Sequence, residues 1–398
     1  MNKLGLAGFQ VSGLKVLMRV DFNVPLDGDR NITDETRITA ALPSINYILE
    51  NGGSVILMSH LGRPKGKVEP EFSLRPVADR LAELIDSPVK FSRDTVGPDA
   101  VELSSGLKPG EVLLLENLRF NPGETVNDEG FAAGLAQLGD AFVNDAFGAA
   151  HRAHASTVGV TKHFETCRAG FLMEKELKNL GGLLGEPERP FVAILGGAKV
   201  AGKVEIILNL LDKVDTLLLG GGMIFTFFQS AGLNIGSSLL DKESLEVVKK
   251  ITARSKDCRA DLILPTDCTV ATEFNDKAEK KNVLVTDIPS DWMGLDIGPV
   301  SAQNYREIIL GAKTIFWNGP MGVFELPSFA SGTRTVAEAV AEASDGGALS
   351  IIGGGDSVAA ANQFGVSSRI GHISTGGGAS LELMGGRQLP GIDALSPA

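Results

Sequence analysis

The stretch "FVAILGGAKVAGKVEIILNLL", residues 191–211, places a strand, a glycine turn and a helix in succession. The strand candidate "FVAILGG" (191–197) opens with a short unbroken apolar run, the pattern of a strand covered on both faces. "KVEIILNLLDKV" (203–214) has helical periodicity. The turn between them imitates a known phosphate loop: Gly197, four residues, Gly202, then Lys203. That loop continues with Ser or Thr, whose hydroxyl binds Mg²⁺. Here Val204 comes next, and its side chain has no oxygen. The stretch is a damaged phosphate loop, a chance spacing or a different way of holding a phosphate.

The strand–turn–helix unit recurs outward from this stretch. Further strand candidates are "KVLMRVDFN" (15–23), "SVILMSH" (54–60), "VLLLENLRF" (112–120), "AFVNDAFG" (141–148), "TLLLGG" (216–221), "DLILPTD" (261–267), "TIFWNGP" (314–320) and "LSIIGGGD" (349–356). Helix-period stretches such as "SLRPVADRLAELI" (73–85) and "SGTRTVAEAVAEA" (331–343) lie between them. Apolar strands alternating with helices predict an α/β fold with parallel sheets. The expected architecture is two Rossmann-like three-layer domains, 1–171 and 188–380, joined by a hinge helix at 172–187. Residues 381–398 are expected to return as a tail to the first domain.

Ligands of open α/β sheets bind beyond the carboxyl ends of the strands. In the first half these ends carry Asp21, Asn23, His60, Arg63, Arg119 and Arg152, with Arg37 at a helix start. Arginine forks match carboxylate and phosphate geometry. In the second half the ends are glycine clusters: 196–197, 220–222, 319, 353–355 and 376–378. Backbone N–H groups at glycine-rich helix starts can cradle phosphate. One half thus reads as a grip for a small anion and the other as a polyphosphate cradle.

The formal net charge of −12 argues against bulk binding to nucleic acid or an anionic membrane. Cys167, Cys258 and Cys268 show no metal or redox spacing and read as thiols of a reducing compartment. "MNKLGLAGFQ" lacks an apolar secretory core, so the cytoplasm is the expected location. His151 and His154 form a weak metal-like pair without an evident third ligand.

The ordered blocks "RVDFNVPL" (19–26), "SHLGRP" (59–64), "ENLRF" (116–120), "HRAHAS" (151–156), "GGAKV" (196–200), "GGGM" (220–223), "WNGPMGVFE" (317–325), "GGGDS" (353–357) and "STGGGASLEL" (374–383) together resemble the phosphoglycerate kinase family. The resemblance runs from about residue 4 to residue 395. It implies reversible phosphoryl transfer between 1,3-bisphosphoglycerate and MgADP, giving 3-phosphoglycerate and MgATP. It places the acid against Asp21, Asn23, Arg37, His60, Leu61, Gly62, Arg63, Arg119 and Arg152. It places the nucleotide against Lys203, Gly294, Asn318, Glu325, Gly354, Gly355, Asp356 and Ser357, with Asp356 as the Mg²⁺ ligand. Arg37, Lys199, Gly355 and Gly378 are the implied catalytic set. A monomer whose two domains close around the substrates is the family's usual condition. The family usually has a carboxylate where Gly202 stands, so the apparent phosphate loop arises by substitution within a different motif.

Two other classes compete. A nicotinamide oxidoreductase needs G-x-G-x-x-G after a strand, and none of the glycine clusters has that spacing. A non-catalytic binding module would tolerate loss of Arg37 or Lys199, and both are present.

Overall fold

The computed structural model describes residues 2–398. The described residues form two compact units, 2–178 with 388–398, and 179–387. The change-over falls within the helix Phe171–Leu184 and again after Arg387, where the sequence pattern places it at 171/172, 187/188 and 380/381.

The first unit is built on β1 (Lys15–Arg19), β2 (Ser54–Met58), β3 (Val89–Phe91), β4 (Val112–Leu114), β5 (Ala141–Asn144) and β6 (Cys167–Ala169). They form one sheet in the order β3-β4-β2-β1-β5-β6, all parallel. β2 is buried at every position, and β1 at all but Lys15. One face packs against the helix Thr36–Glu50 through Ile38, Ala41, Ile45 and Ile48. The helix Arg75–Leu84 adds Val77, Ala78 and Leu81 to the same core.

The second unit holds β7 (Phe191–Leu195), β8 (Thr216–Leu219), β9 (Asp261–Ile263), β10 (Asp267–Ala271), β11 (Lys280–Leu284), β12 (Met293–Ile297), β13 (Thr314–Asn318), β14 (Leu349–Gly353) and β15 (His372–Ile373). Its main sheet is parallel, in the order β15-β14-β13-β7-β8-β9. A second, three-stranded antiparallel sheet has the order β11-β10-β12. The sequence pattern gives no sign of it, and the run 261–267 reads there as one strand. The chain instead leaves the parallel sheet after Ile263, and Asp267 opens β10.

In each six-stranded sheet the first strand sits inside, and the chain fills one side before crossing to the other. The switch points lie between β1 and β5 and between β7 and β13. Connections leaving such neighbours in opposite directions open a crevice at the carboxyl edge. The register aligns the ends: Arg19 beside Met58 and Asn144, and Leu195 beside Asn318, itself beside Gly353.

Candidate functional site

In the first unit, three loops leave adjacent strands and bring their polar residues together. Asp21 lies just after β1, and its Oδ2 accepts from Arg37 Nη1 at 2.7 Å. His60 lies just after β2, with Nδ1 3.8 Å from Asp21 Oδ1. Asn23 Oδ1 accepts from the Gly62 N–H at 2.9 Å, and Arg119 Nη1 donates to the Gly62 carbonyl at 2.7 Å. The turn 60–63 is thus fixed from both sides. Leu61 sends its side chain into the core, so only its main chain is available to a ligand. Arg63 and Arg152 are exposed, and Arg152 Nε lies 3.0 Å from His151 Nε2.

The cluster is strongly cationic and partly dry. Burial, helped by the charges of Arg19 and Arg152, pushes the Arg119 guanidinium down to about 10. Burial and the same kind of cationic surroundings hold His60 well below its usual range and push His154 down to about 4. The Glu124 carboxylate lies 3.7 Å from His154 Nδ1. It already accepts from the N–H and hydroxyl of Ser156, and it does not offset the burial and the neighbouring arginines.

The two histidines also link stability to pH. Both imidazoles are neutral when folded and titrate near 6.5 when unfolded. Their contribution is complete above pH 6.5 and is lost as pH falls from there, down to about 4 for His154. For His154 the loss is on the order of 2–3 kcal/mol. Thermal denaturation at pH 7 and pH 5 should show a steeper acid loss for the natural chain than for His154→Asn. Equal slopes would mean that His154 is not held neutral.

In the second unit a cavity of about 650 Å³ lies at the carboxyl edge of the main sheet. Of the residues that the resemblance assigns to the nucleotide, Gly294, Glu325 and Asp356 line it, together with Gly197, Gly221 and Gly222 of the glycine clusters. Its apolar walls include Phe225, Leu239, Met293, Val323 and Leu326. Sequence reading misses these residues, because a cavity wall and a core residue have the same apolar signature. A Cβ at Gly294 would stand 2.0 Å from the Phe225 ring, so glycine keeps that wall open. Asp296, also lining the cavity, uses its two oxygens on the N–H groups of Ile297 and Gly332. Burial pushes its carboxyl up to about 8.

Beside the cavity is a polar cluster. Lys203 Nζ donates to Asn318 Oδ1 at 2.6 Å. Burial pushes its ammonium down to about 8, against the opposing pull of Asp356. Asn318 is buried, and its Nδ2 has no partner. Ser357 accepts from the Gly319 N–H. Gly354, at φ 91°, caps the helix Gly355–Gln363 without a side-chain hydrogen bond. The first N–H groups of such a helix lack internal partners. Gly355 and Asp356 are exposed there, as are Lys199 on the turn after β7 and Gly378 at the start of a short helix.

Gly202 is exposed, and a Cβ added there meets nothing within 4 Å. No packing demand accounts for the missing carboxylate. Among the described residues, no three His, Cys, Asp or Glu side chains gather as a metal site, and no helix is long and apolar enough to cross a membrane. The three cysteines are free thiols.

A family model described as phosphoglycerate kinase matches residues 6–387. A phosphoglycerate kinase of Pelodictyon phaeoclathratiforme is 54% identical over 396 residues, with all of both chains covered. One from Chloroflexus aggregans is 55% identical over 400 residues, again with both fully covered. The solved structure of phosphoglycerate kinase from Coxiella burnetii matches with a TM-score of 0.87 at 38% identity, over 98% of each chain. That from Pyrococcus horikoshii matches with a TM-score of 0.85 at 33% identity, over the same shares. With two parallel α/β units, a cationic cluster on one and a glycine-rich cavity on the other, the chain belongs to the phosphoglycerate kinase family, the phosphotransferases of glycolysis.

Proposed function

We propose that the His60 cluster binds 3-phosphoglycerate or 1,3-bisphosphoglycerate and that the second unit's cavity binds ADP or ATP with Mg²⁺. The observation that carries this reading is a set of buried polar atoms without partners: Asp21 Oδ1, Arg119 Nε and Asn318 Nδ2. Leaving such groups unmet costs free energy that a ligand recovers. Asp21 Oδ1 suits a substrate hydroxyl, and the arginines suit its anionic ends. Asn318 Nδ2, Lys203 and the start of helix Gly355–Gln363 suit a phosphate chain. The apolar walls suit a planar base, and Glu325 can accept from ribose hydroxyls. A nicotinamide oxidoreductase finds no support among these relatives.

Mg²⁺ is commonly held by one or two carboxylates plus substrate phosphates. Exposed Asp356, on the cavity wall, fits that role, and the metal would neutralise phosphate charge. In the reaction an ADP oxygen attacks the acyl phosphate and the carboxylate leaves, so no protein nucleophile is required. The chain's own residues position the reactants and stabilise charge. Arg37, Lys199 and the N–H groups at Gly355 and Gly378 are the donors assigned to the transferring group. Transfer requires the ligands to meet, so this reading includes ligand-driven closure, with helix Phe171–Leu184 as the hinge. A cytoplasmic monomer completes it.

Calorimetric titration tests the metal assignment. Asp356→Ala should weaken MgADP binding roughly tenfold, about 1.4 kcal/mol, and should leave metal-free ADP binding nearly unchanged. Val204→Ser should gain nothing. Wild-type MgADP affinity in Asp356→Ala, or a clear gain in Val204→Ser, would overturn the assignment.

A further inference from the structure

Behind the acid-binding cluster lies a fully buried chain of polar groups. Arg19, the last residue of β1, is 1% exposed. Its Nε donates to Ser156 Oγ at 2.8 Å, and its Nη1 donates to the Val20 carbonyl. Its Nη2 lies 3.2 Å from His60 Nδ1. The Ser156 hydroxyl donates in turn to Glu124 Oε1 at 2.6 Å, and Glu124 is completely buried. The Arg19 charge is thus balanced through Ser156 by Glu124 rather than by solvent.

Guanidinium is a donor only. A bond between Arg19 Nη2 and His60 Nδ1 therefore requires Nδ1 to present its lone pair. A second observation agrees. Asp21 Oδ1 is buried, lacks a hydrogen-bond partner, and stands 3.8 Å from the same Nδ1, too far for a hydrogen bond. A protonated Nδ1 would have that carboxylate as its natural acceptor.

We infer that Arg19 is a positioning residue that sets the tautomer of His60, leaving the ring's proton on Nε2 as a donor for an anionic ligand, with Ser156 and Glu124 holding Arg19 in place. The groups around His60 agree from each neighbouring element. Burial first, then Arg19 on β1, Arg119 after β4, Arg37 on the helix Thr36–Glu50 and His154 disfavour a charged ring, and Asp21 faces them at 3.8 Å. A neutral ring with a fixed donor adds direction to a cluster whose charge the arginines already supply. It also keeps that charge constant through neutral pH.

This inference rests on the acid-binding reading for its purpose but not for its test. Long-range ¹H–¹⁵N correlation NMR of the unliganded full chain reads both imidazole nitrogens of His60. The expected spectrum has an unprotonated Nδ1 and a protonated Nε2, unchanged from pH 8 to pH 6. In Arg19→Met the ring, still buried among the other cations, should lose its fixed proton position and show a mixed tautomer, and KM for 3-phosphoglycerate should rise roughly tenfold while KM for ATP stays. Arg19→Lys, which can still donate, should restore the Nε2–H tautomer. Ser156→Ala, which cuts the tie to Glu124, supplies a milder variant should Arg19→Met fail to fold, and a partly mixed His60 tautomer is expected in it. A protonated Nδ1 in the natural chain, or an unchanged His60 spectrum in a folded Arg19→Met or Ser156→Ala, would overturn the inference. Adding 3-phosphoglycerate tests the underlying site separately: absence of any shift at His60 would count against the binding reading and leave the tautomer result standing.

Discussion

Arg37→Ala and Lys199→Ala are each expected to lower kcat by roughly 10²–10³ while leaving the fold intact. The two cations are held differently. Arg37 sits at the start of the helix Thr36–Glu50 with its side chain one-third exposed, and one guanidinium nitrogen is committed to Asp21. That bond fixes the direction of the fork and leaves its remaining N–H groups for the ligand. Lys199 is exposed on the turn after β7, at the edge where the second sheet switches direction. Neither side chain fills a core, so truncation opens no cavity, and thermal midpoints should stay within a few degrees. A charge contact made only in the transition state lowers kcat and kcat/KM together when it is lost. A contact made equally to bound substrate raises KM instead. Steady-state kinetics in both directions therefore assign each cation. Near-normal kcat in either variant would remove that residue from the catalytic set. Asp21→Asn should produce a smaller version of the Arg37 loss, because the fork would keep a partner without its charge.

The parallel sheets are legible in the sequence because their strands announce themselves twice, by apolar runs and by the polar or glycine-rich ends of those runs. The runs containing β1, β2, β4, β5, β7, β8, β9, β13 and β14 all supply a strand, although each run extends past the pairing into the loop. Those overhangs hold residues of the candidate site: Asp21 after β1, His60 after β2, Arg119 after β4. β3 (VKF), β6 (CRA) and β15 (HI) are three residues or fewer, and unlike the equally short β4 (VLL) each contains a polar residue and lies in no apolar run. β11, "KKNVL", is mostly exposed and reads as a polar loop. It becomes a strand only because β10 offers it an antiparallel edge. Arg19 is legible only as part of a quoted block. A charged residue at the end of a buried strand reveals its partners, Ser156 and His60, only when the chain brings residues far apart in sequence together. The glycine clusters look alike in sequence, and in space they divide into two kinds.

That division sets the second large effect. At the switch point between β7 and β13, the chain segments after both strands pass backbone against backbone. A Cβ on Gly319, which has φ 100°, would stand 2.3 Å from the Gly196 carbonyl oxygen. A Cβ on Gly196 would stand 2.0 Å from the Pro320 carbonyl oxygen. These atoms belong to main chain anchored by hydrogen bonds, Gly196 N–H to the Asn318 carbonyl and Gly197 N–H to the Pro320 carbonyl, so they cannot swing aside as a side chain would. Gly319→Ala adds strain of about 1–3 kcal/mol from its dihedral alone, before the clash is counted. Against a typical total stability of roughly 5–15 kcal/mol, either substitution should unfold the second unit or lower its melting point by many degrees. Gly355 is of the other kind. A Cβ there meets nothing within 4 Å, and the residue opens a helix, where Ala in place of Gly is neutral or stabilising by about 0.4–1 kcal/mol. Its cost should fall on the ligand, because the methyl would occupy the space through which a phosphate oxygen reaches the helix N–H groups. Gly355→Ala should therefore keep or raise the melting point and weaken MgADP binding by roughly tenfold or more, whereas Gly319→Ala should lose stability first. Differential scanning calorimetry paired with MgADP titration separates the two. If Gly355→Ala binds MgADP as tightly as the natural chain, the helix start is not the phosphate cradle. If Gly319→Ala melts normally, the strand-end glycines are not there to let backbones cross.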